Sequence, residues 1–374
     1  MLKNKNKGIT LVALVVTIVV LLILAGISIS ALTNTGIFQK AKDAKQKSAN
    51  AELDQNTKLD SYEEEISNYL PQDVKQAIKK GKPLSTDKNT EIVDEKGNKI
   101  VIPAGFKVTG DATTVDKGIV IEDATVDKDG KPTATAGSQF VWVPVGKITK
   151  EDGTKTEIKL NRYTFASDGT PTEKNNEVIN SYFSETESKG NTVAKNIVNF
   201  TNSVKANGGY YIGRYEARTT TARTASGNAL TQITEKGTDQ VYNYVTQKQA
   251  AEQAQGMYTS NNFTSDLMNS YAWDTAITFI QKCTDKTNYA NQNSLNTSLS
   301  QTGTTNDNPC NIFDMASNIY EWTTETSSAS NGGPCVRRGG SYSYSIYYTS
   351  HRDYSSTSYS KYNFGFRPLL YVNV

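Results

Sequence analysis

"NIFDMASNIYEWT" occupies Asn311–Thr323, and two short pieces follow it: "RGGSY" at 338–342 and "FGFR" at 364–367. Asp314, Asn318 and Glu321 are the residue types of a turn closed by side-chain-to-backbone hydrogen bonds. Trp322 is large enough to anchor a core. Gly339 and Gly340 let the backbone bend or approach another segment closely. All of these read as scaffold.

What lies between the two short pieces does not. Ser341–Asn363 reads "SYSYSIYYTSHRDYSSTSYSKYN", with seven of the chain's 21 tyrosines and eight serines in 23 residues. The tyrosines have no regular period, so they do not form one strand face. Tyrosine offers a large amphipathic contact area at low entropic cost, and serine adapts its hydrogen bonding. The run therefore reads as a binding surface set into a scaffold.

Upstream, "KIVIPAGFKV" and "GIVIEDATV" alternate apolar and polar residues as strands do, and "SQFVWVPVG" reads as a buried strand. The stretch to about residue 190 is polar and carries no clear pattern. Val193, Ile197, Phe200 and Val204 share a helical face that Gly208 and Gly209 terminate. "YYIGRYEA" at 210–217 reads as a strand. Thr246 with Gln249 predicts a capping box for a short helix, and "SYAWDTAITFIQKC" predicts a second with Ala272, Ala276, Phe279, Ile280 and Cys283 inward.

The pieces "FVWVPVG", "YYIGRYEA", "YAWDTAITF", "NIFDMASNIYEWT", "RGGSY" and "FGFR" occur in one order across residues 91–374. The series resembles the formylglycine-generating-enzyme-like, or sulfatase-modifying-factor, variety of the C-type lectin fold. That resemblance implies an α+β ligand-binding domain with irregular loops. The family's namesake enzymes bind copper through a cysteine pair just after the "RGGS" segment, and no residue from Ser341 to Val374 is Cys. A relative that makes sulfur–carbon bonds uses a multi-histidine iron site, and the chain has one histidine, His351. His351 has no partner nucleophile in any visible motif. The expectation is a protein that is not an enzyme and needs no cofactor.

The residues in the tyrosine run share a further property. Tyr, His, Asp, Ser, Ile and Thr are all reached from an AAY asparagine codon by changing adenines. This set resembles the variable region of proteins diversified by diversity-generating retroelements, many of which carry this fold with the variable segment ending near "GFR". The resemblance implies a variable region over about 338–367. Its ligand-binding positions would be Ser343, Tyr344, Ser345, Ile346, Tyr347, Tyr348, His351, Asp353, Tyr354, Ser355, Ser356, Tyr359, Tyr362 and Asn363. Arg352, Gly365, Phe366 and Arg367 would be fixed scaffold.

The N-terminus has another character. Lys3, Lys5 and Lys7 precede an uncharged, mostly aliphatic run from Gly8 to Leu32, long enough to span a bilayer. After Gly36, apolar residues recur every three or four positions to Leu70, and Pro71 ends the pattern. Residues 9–70 thus read as one long helix. "KGITLVALV" resembles a type IV prepilin leader. This implies a leader over 1–8, cleavage by a prepilin peptidase between Gly8 and Ile9, and packing against other pilin-like subunits through 9–70. The helix would sit in the membrane before assembly. The family usually has a glutamate five residues after the cut, where this chain has Ala13. Residues 71–90 are polar with Pro and Gly and read as a linker.

Charge is balanced, 40 Lys and Arg against 38 Asp and Glu, which argues against a nucleic-acid binder. Cys283, Cys310 and Cys335 match no zinc spacing and allow one disulfide of unspecified pairing. Asp and Asn show no EF-hand-type spacing, so spacing alone assigns no calcium site. The expected protein is a pilin-like adhesin at the bacterial membrane and outer surface, with a protein or glycan ligand. The alternatives are a structural pseudopilin of a secretion or uptake machine and a degenerate formylglycine-generating-type enzyme.

Overall fold

The computed structural model describes residues 13–25, 37–67, 72–174, 197–326, 333–344 and 346–374. The chain divides into two compact units, Met1–Leu70 and Pro71–Val374. In the first, residues 13–25 and Ile37–Ser67 are helical. The leader over 1–8, its Gly8–Ile9 junction and the part of the expected helix over 26–36 lie outside the described residues. Among the described residues, no helix is long and apolar enough to cross a membrane.

The second unit is α+β. Residues 71–90 are not a linker. They open with strand β1 (Gln72–Asp73) and helix α1 (Val74–Lys80). Asp73 caps the helix by accepting from Lys75 N at 2.7 Å, and Gly81 closes it at φ 61°. Val74 and Ala77 are fully buried, so the segment belongs to the domain core. β1 pairs in parallel with β2 (Thr90–Val93), which forms a hairpin with β3 (Lys99–Ile102).

The main sheet has six antiparallel strands. β4 (Phe106–Thr109), β5 (Val120–Asp123) and β6 (Gln139–Pro144) form one side. Two small hairpins follow: β7 (Gly146–Thr149) with β8 (Lys155–Ile158), and β9 (Tyr163–Phe165) with β10 (Pro171–Glu173). Helix α2 (Ile197–Asn207) then leads through Gly208, at φ 75°, into β11 (Gly209–Gly213) beside β6. The run "FVWV" is buried at every position because this strand is covered on both faces. In register, Trp142 pairs with Tyr211 and their rings meet at 4.9 Å.

The Thr-rich stretch over 219–240 is flanked by a short pair, β12 (Arg218–Thr219) and β13 (Gln240–Val241). Helix α3 (Gln247–Gln255) starts with the predicted capping box of Thr246 and Gln249. Strand β14 (Phe263–Leu267) is the far edge of the main sheet, and helix α4 (Ser270–Cys283) follows. Every residue of α4 from Ser270 to Ile280 is buried, including Asp274, so the polar side the sequence predicts does not face solvent.

A second sheet holds β15 (Tyr320–Thr326), β16 (Cys335–Arg338), β17 (Arg352–Ser355) and β18 (Phe364–Phe366), in the order β17-β16-β15-β18. β15 and β18 run parallel, and the other pairs are antiparallel. β19 (Pro368–Val372) then enters the main sheet between β14 and β11. No disulfide joins Cys283, Cys310 and Cys335, so the pairing left open by the sequence is not formed.

Candidate ligand-binding face

The turn before β15 is closed by side chains. Asp314 and Asn318 sit at φ 65° and 64°, a left-handed conformation that Asp and Asn tolerate better than other residues with a Cβ. Asp314 accepts from Gly303 N at 3.1 Å and from the Thr305 hydroxyl. Asn318 Oδ1 accepts from Ser300 N at 2.9 Å, and its Nδ2 donates to Glu216 at 2.6 Å. Glu321 does not join this turn. It forms an ion pair with Arg367, whose Nε and terminal nitrogen donate to it at 2.6–3.2 Å. Arg367 also donates to the carbonyls of Gly213 and Phe313, tying the end of β18 to β11 and to the turn. Burial pulls this guanidinium down, and Glu321 more than offsets it, so the arginine stays charged. Trp322 is fully buried, and its indole N–H donates to Val245 O at 2.8 Å.

Gly340 is required by space: a Cβ there would collide with the Ala316 carbonyl oxygen. Next to it, Arg338 and Arg352 enter a buried ion cluster. Arg338 donates to Asp274 at 2.6 Å and to Glu325 at 3.3 Å. Arg352 donates to Glu325 at 2.9 Å and to Asp274, and Arg162 also reaches Glu325. Burial raises both carboxyls, but the facing arginines outweigh it and hold Asp274 and Glu325 below the usual carboxylate range. The same group fixes the chain above it. Trp273 Nε1 donates to Thr349 O at 3.0 Å, and Arg338 donates to the carbonyls of Ser350 and His351. Arg352 is thus scaffold, as expected.

Over this base the run from Ser343 to Tyr362 forms a surface. Tyr344, Ile346, Tyr354, Tyr359 and Tyr362 are its exposed large hydrophobic side chains, from 36 to 71% accessible. Ser356 is exposed too. Ser343, Tyr347, Tyr348, His351 and Asp353 are half-buried. Tyr347 packs against the core, meets Tyr320 edge-on at 5.8 Å and stacks on His351 at 4.2 Å. Burial lowers the His351 imidazole, so it is neutral near pH 7. Two sequence-predicted contact residues point inward. Ser355 is buried and accepts from Arg337, while Asn363 is buried and donates to Ser343 Oγ at 2.8 Å. Ser355 lies beneath the face as a support, while Asn363, though buried, also lines a pocket in it. Ser345 lies outside the described residues.

Four residues that sequence reading missed complete the surface. Tyr320, Arg337, Lys361 and Phe364 join Tyr344, Tyr347, Tyr359, Tyr362 and Asn363 around a pocket of about 180 Å³. Arg337 lies over the Phe364 ring at 4.3 Å and the Tyr320 ring at 4.9 Å, and is held by Asp353. Lys361 lies over Tyr359 at 4.6 Å. Tyr320 stands two residues before Trp322 in the motif. Only its pairing with Phe364 across β18 shows that it floors a pocket.

The residues present do not fit the family's copper. No thiol stands in Ser341–Val374. Cys335 is buried, and its register partners across the sheet are Thr326 and Ser355.

A family model described as the sulfatase-modifying factor enzyme 1-like domain matches residues 127–370 of the 374, and the chain belongs to that family. No curated protein matches the chain. Among solved structures, it is similar to the Major Tropism Determinant I1 variant, at 12% identity over 77% of this chain and 82% of that one, with a TM-score of 0.30.

Proposed function

We propose that this sulfatase-modifying-factor family member is a binding protein and not an enzyme. Its lectin-like domain offers a diversified Tyr/Ser face to a ligand outside a bacterial cell, and a pilin-like N-terminal helix displays it. One observation carries the reading. Five large side chains, four of them tyrosines, are exposed on one short segment whose backbone is fixed from below by buried ion pairs. Monomers rarely expose such patches unless they bind something. A segment held by buried ion pairs below and exposed above can change its outer side chains without changing the fold. The missing cysteine pair favours a family scaffold used for recognition. The prepilin-like leader, the adenine-derived residue set and the balanced charge support display, diversification and a ligand other than nucleic acid.

The test replaces Tyr344, Tyr354, Tyr359 and Tyr362 together by Ser. Surface changes of this kind cost about 0.5 kcal/mol or less each, so the melting temperature should stay near that of the wild type. Binding to an array of surface proteins and glycans should fall about 30-fold or more for the partners the wild type retains, since one aromatic hot spot is worth roughly 2 kcal/mol. An unfolded variant makes the tyrosines core residues. A folded variant with unchanged binding removes the face as the site.

A further inference from the structure

We propose that the pocket beside β18 is a subsite for a single side chain, and that it takes the carboxylate of an acidic residue on a protein partner. The inference deepens the function proposed above and rests on it.

The charge of the pocket lining favours a guest of negative charge. Arg337 and Lys361 line it, and no lining residue is acidic. Asp353 engages Arg337 through one terminal nitrogen, and Ser355 takes the other. Two donors are left over. The Arg337 Nε–H and the Tyr320 hydroxyl have no hydrogen-bond partner, although Tyr320 is 1% exposed. A buried donor without a partner is costly, and a guest that accepts from it recovers that cost. A carboxylate that reaches the Arg337 Nε–H or the Tyr320 O–H accepts from it, and Lys361, lining the same pocket, adds positive charge. A cationic guest would meet two cations. A phosphate is best held by the guanidinium fork, and the outer nitrogens of Arg337 are already engaged.

Size and setting point to a protein side chain. The volume, about 180 Å³, suits one residue with an aliphatic stem. Tyr344, Tyr347, Tyr359 and Phe364 supply apolar walls for that stem. Exposed Tyr344, Tyr359 and Tyr362 continue beyond the mouth as contact area, with Tyr354 and Ile346 exposed on the same run. A charged anchor in a pocket ringed by aromatic contacts is the usual arrangement of a protein–protein hot spot.

The experiment titrates the full-length chain with N-acetylglutamate N-methylamide and its glutamine analogue, followed by saturation-transfer NMR. Glucuronate and glucose form the second arm. The glutamate probe should bind at least tenfold tighter than the glutamine probe. Tyr320→Phe keeps the ring and removes the unpartnered hydroxyl, and Lys361→Gln removes the mouth charge. Each should weaken the glutamate probe at least threefold at unchanged melting temperature. Equal binding of the two amino-acid probes overturns the proposal, as does indifference to both substitutions. Tight glucuronate with no glutamate binding overturns the choice of a protein partner. On the array, loss of partners by the four-tyrosine variant but not by Tyr320→Phe or Lys361→Gln sinks the subsite and leaves the face standing. Retention by the four-tyrosine variant sinks the face itself.

Discussion

Asp314 is a carboxyl that the fold keeps away from water. Burial raises it most, and the nearby Asp307 adds to this. The bonds from Thr305 and Gly303 pull the other way, and the balance is a pKa of about 7. An unfolded Asp titrates near 3.9. Between about pH 4 and 7 the folded chain therefore keeps a proton that the unfolded chain has lost. Stability contributed here is full below about pH 4 and falls as pH rises to about 7. The loss is on the order of 4 kcal/mol at this site. Asp314→Asn removes the titration, and Asn is tolerated at φ 65°. Burial raises Glu216 and Glu235 as well, and the Asp314 charge adds to the rise of Glu216, so the difference between the two proteins reads Asp314 together with its effect on Glu216. Urea unfolding at pH 4.5 and 7.5 should show the wild type losing more stability with rising pH than Asp314→Asn. Identical pH dependence would show that the carboxyl is not raised. Asp314 and Asn318 were legible as turn residues because Asp and Asn are the types that tolerate a left-handed turn backbone, although Asn318 bonds as far away as Glu216. Glu321 was misread as one because its partner Arg367 is 46 residues away, a distance that no local pattern reveals.

Strand β17 shows how an element of four residues is fixed while its surroundings vary. Its first residue, Arg352, is locked under the face by Asp274 and Glu325, while Tyr354, two positions on, is exposed. Removing one member of a buried ionic group leaves an uncompensated charge at about 3–5 kcal/mol. Arg338 and Arg162 still face the two carboxylates, so Arg352→Ala should cost toward the lower end, on the order of 3 kcal/mol. Tyr354→Ser should cost about 0.5 kcal/mol or less. Denaturant melts of the two single variants check this, and equal costs would remove the distinction between base and face. At this scale the sequence was most informative where a helix carries its own signals. The Thr246–Gln249 box marks α3 from the sequence alone. Helix α1 escaped because seven residues are too few for a periodic pattern, and its polar neighbours read as a linker. In α4 the apolar positions were legible, but Asp274 was not. A carboxylate there is buried only because two arginines from the second sheet reach it.

For the whole molecule, the order of motifs along 140–367 identified the family, because short motifs at long spacing survive where elements are irregular. The pocket was illegible, since it is assembled from β15, β16, β18 and the tyrosine run across the second sheet. The two units make separate predictions. If the leader is cut, mass spectrometry of the protein from its native cell should find Ile9 as the first residue. An intact Met1 or a cut near Ala31 would end the pilin reading. The domain boundary has a sharper test. Pro71–Val374 is one compact unit, so a chain starting at Pro71 should unfold cooperatively. A chain starting at Glu91 lacks β1 and α1. It gives up the parallel pairing of Gln72 with Ile92 and of Asp73 with Val93, and uncovers the surface beneath Val74 and Ala77. Burying one aliphatic side chain is worth about 1.5–3 kcal/mol, so the shorter chain should be less stable by roughly 3–5 kcal/mol. Ile92 and Ile100, buried on the adjoining hairpin, should then exchange their amide hydrogens faster. Urea midpoints of the two fragments, with hydrogen exchange at that hairpin, decide the matter. Equal stability would return residues 71–90 to the role of a linker and place the domain boundary at Glu91.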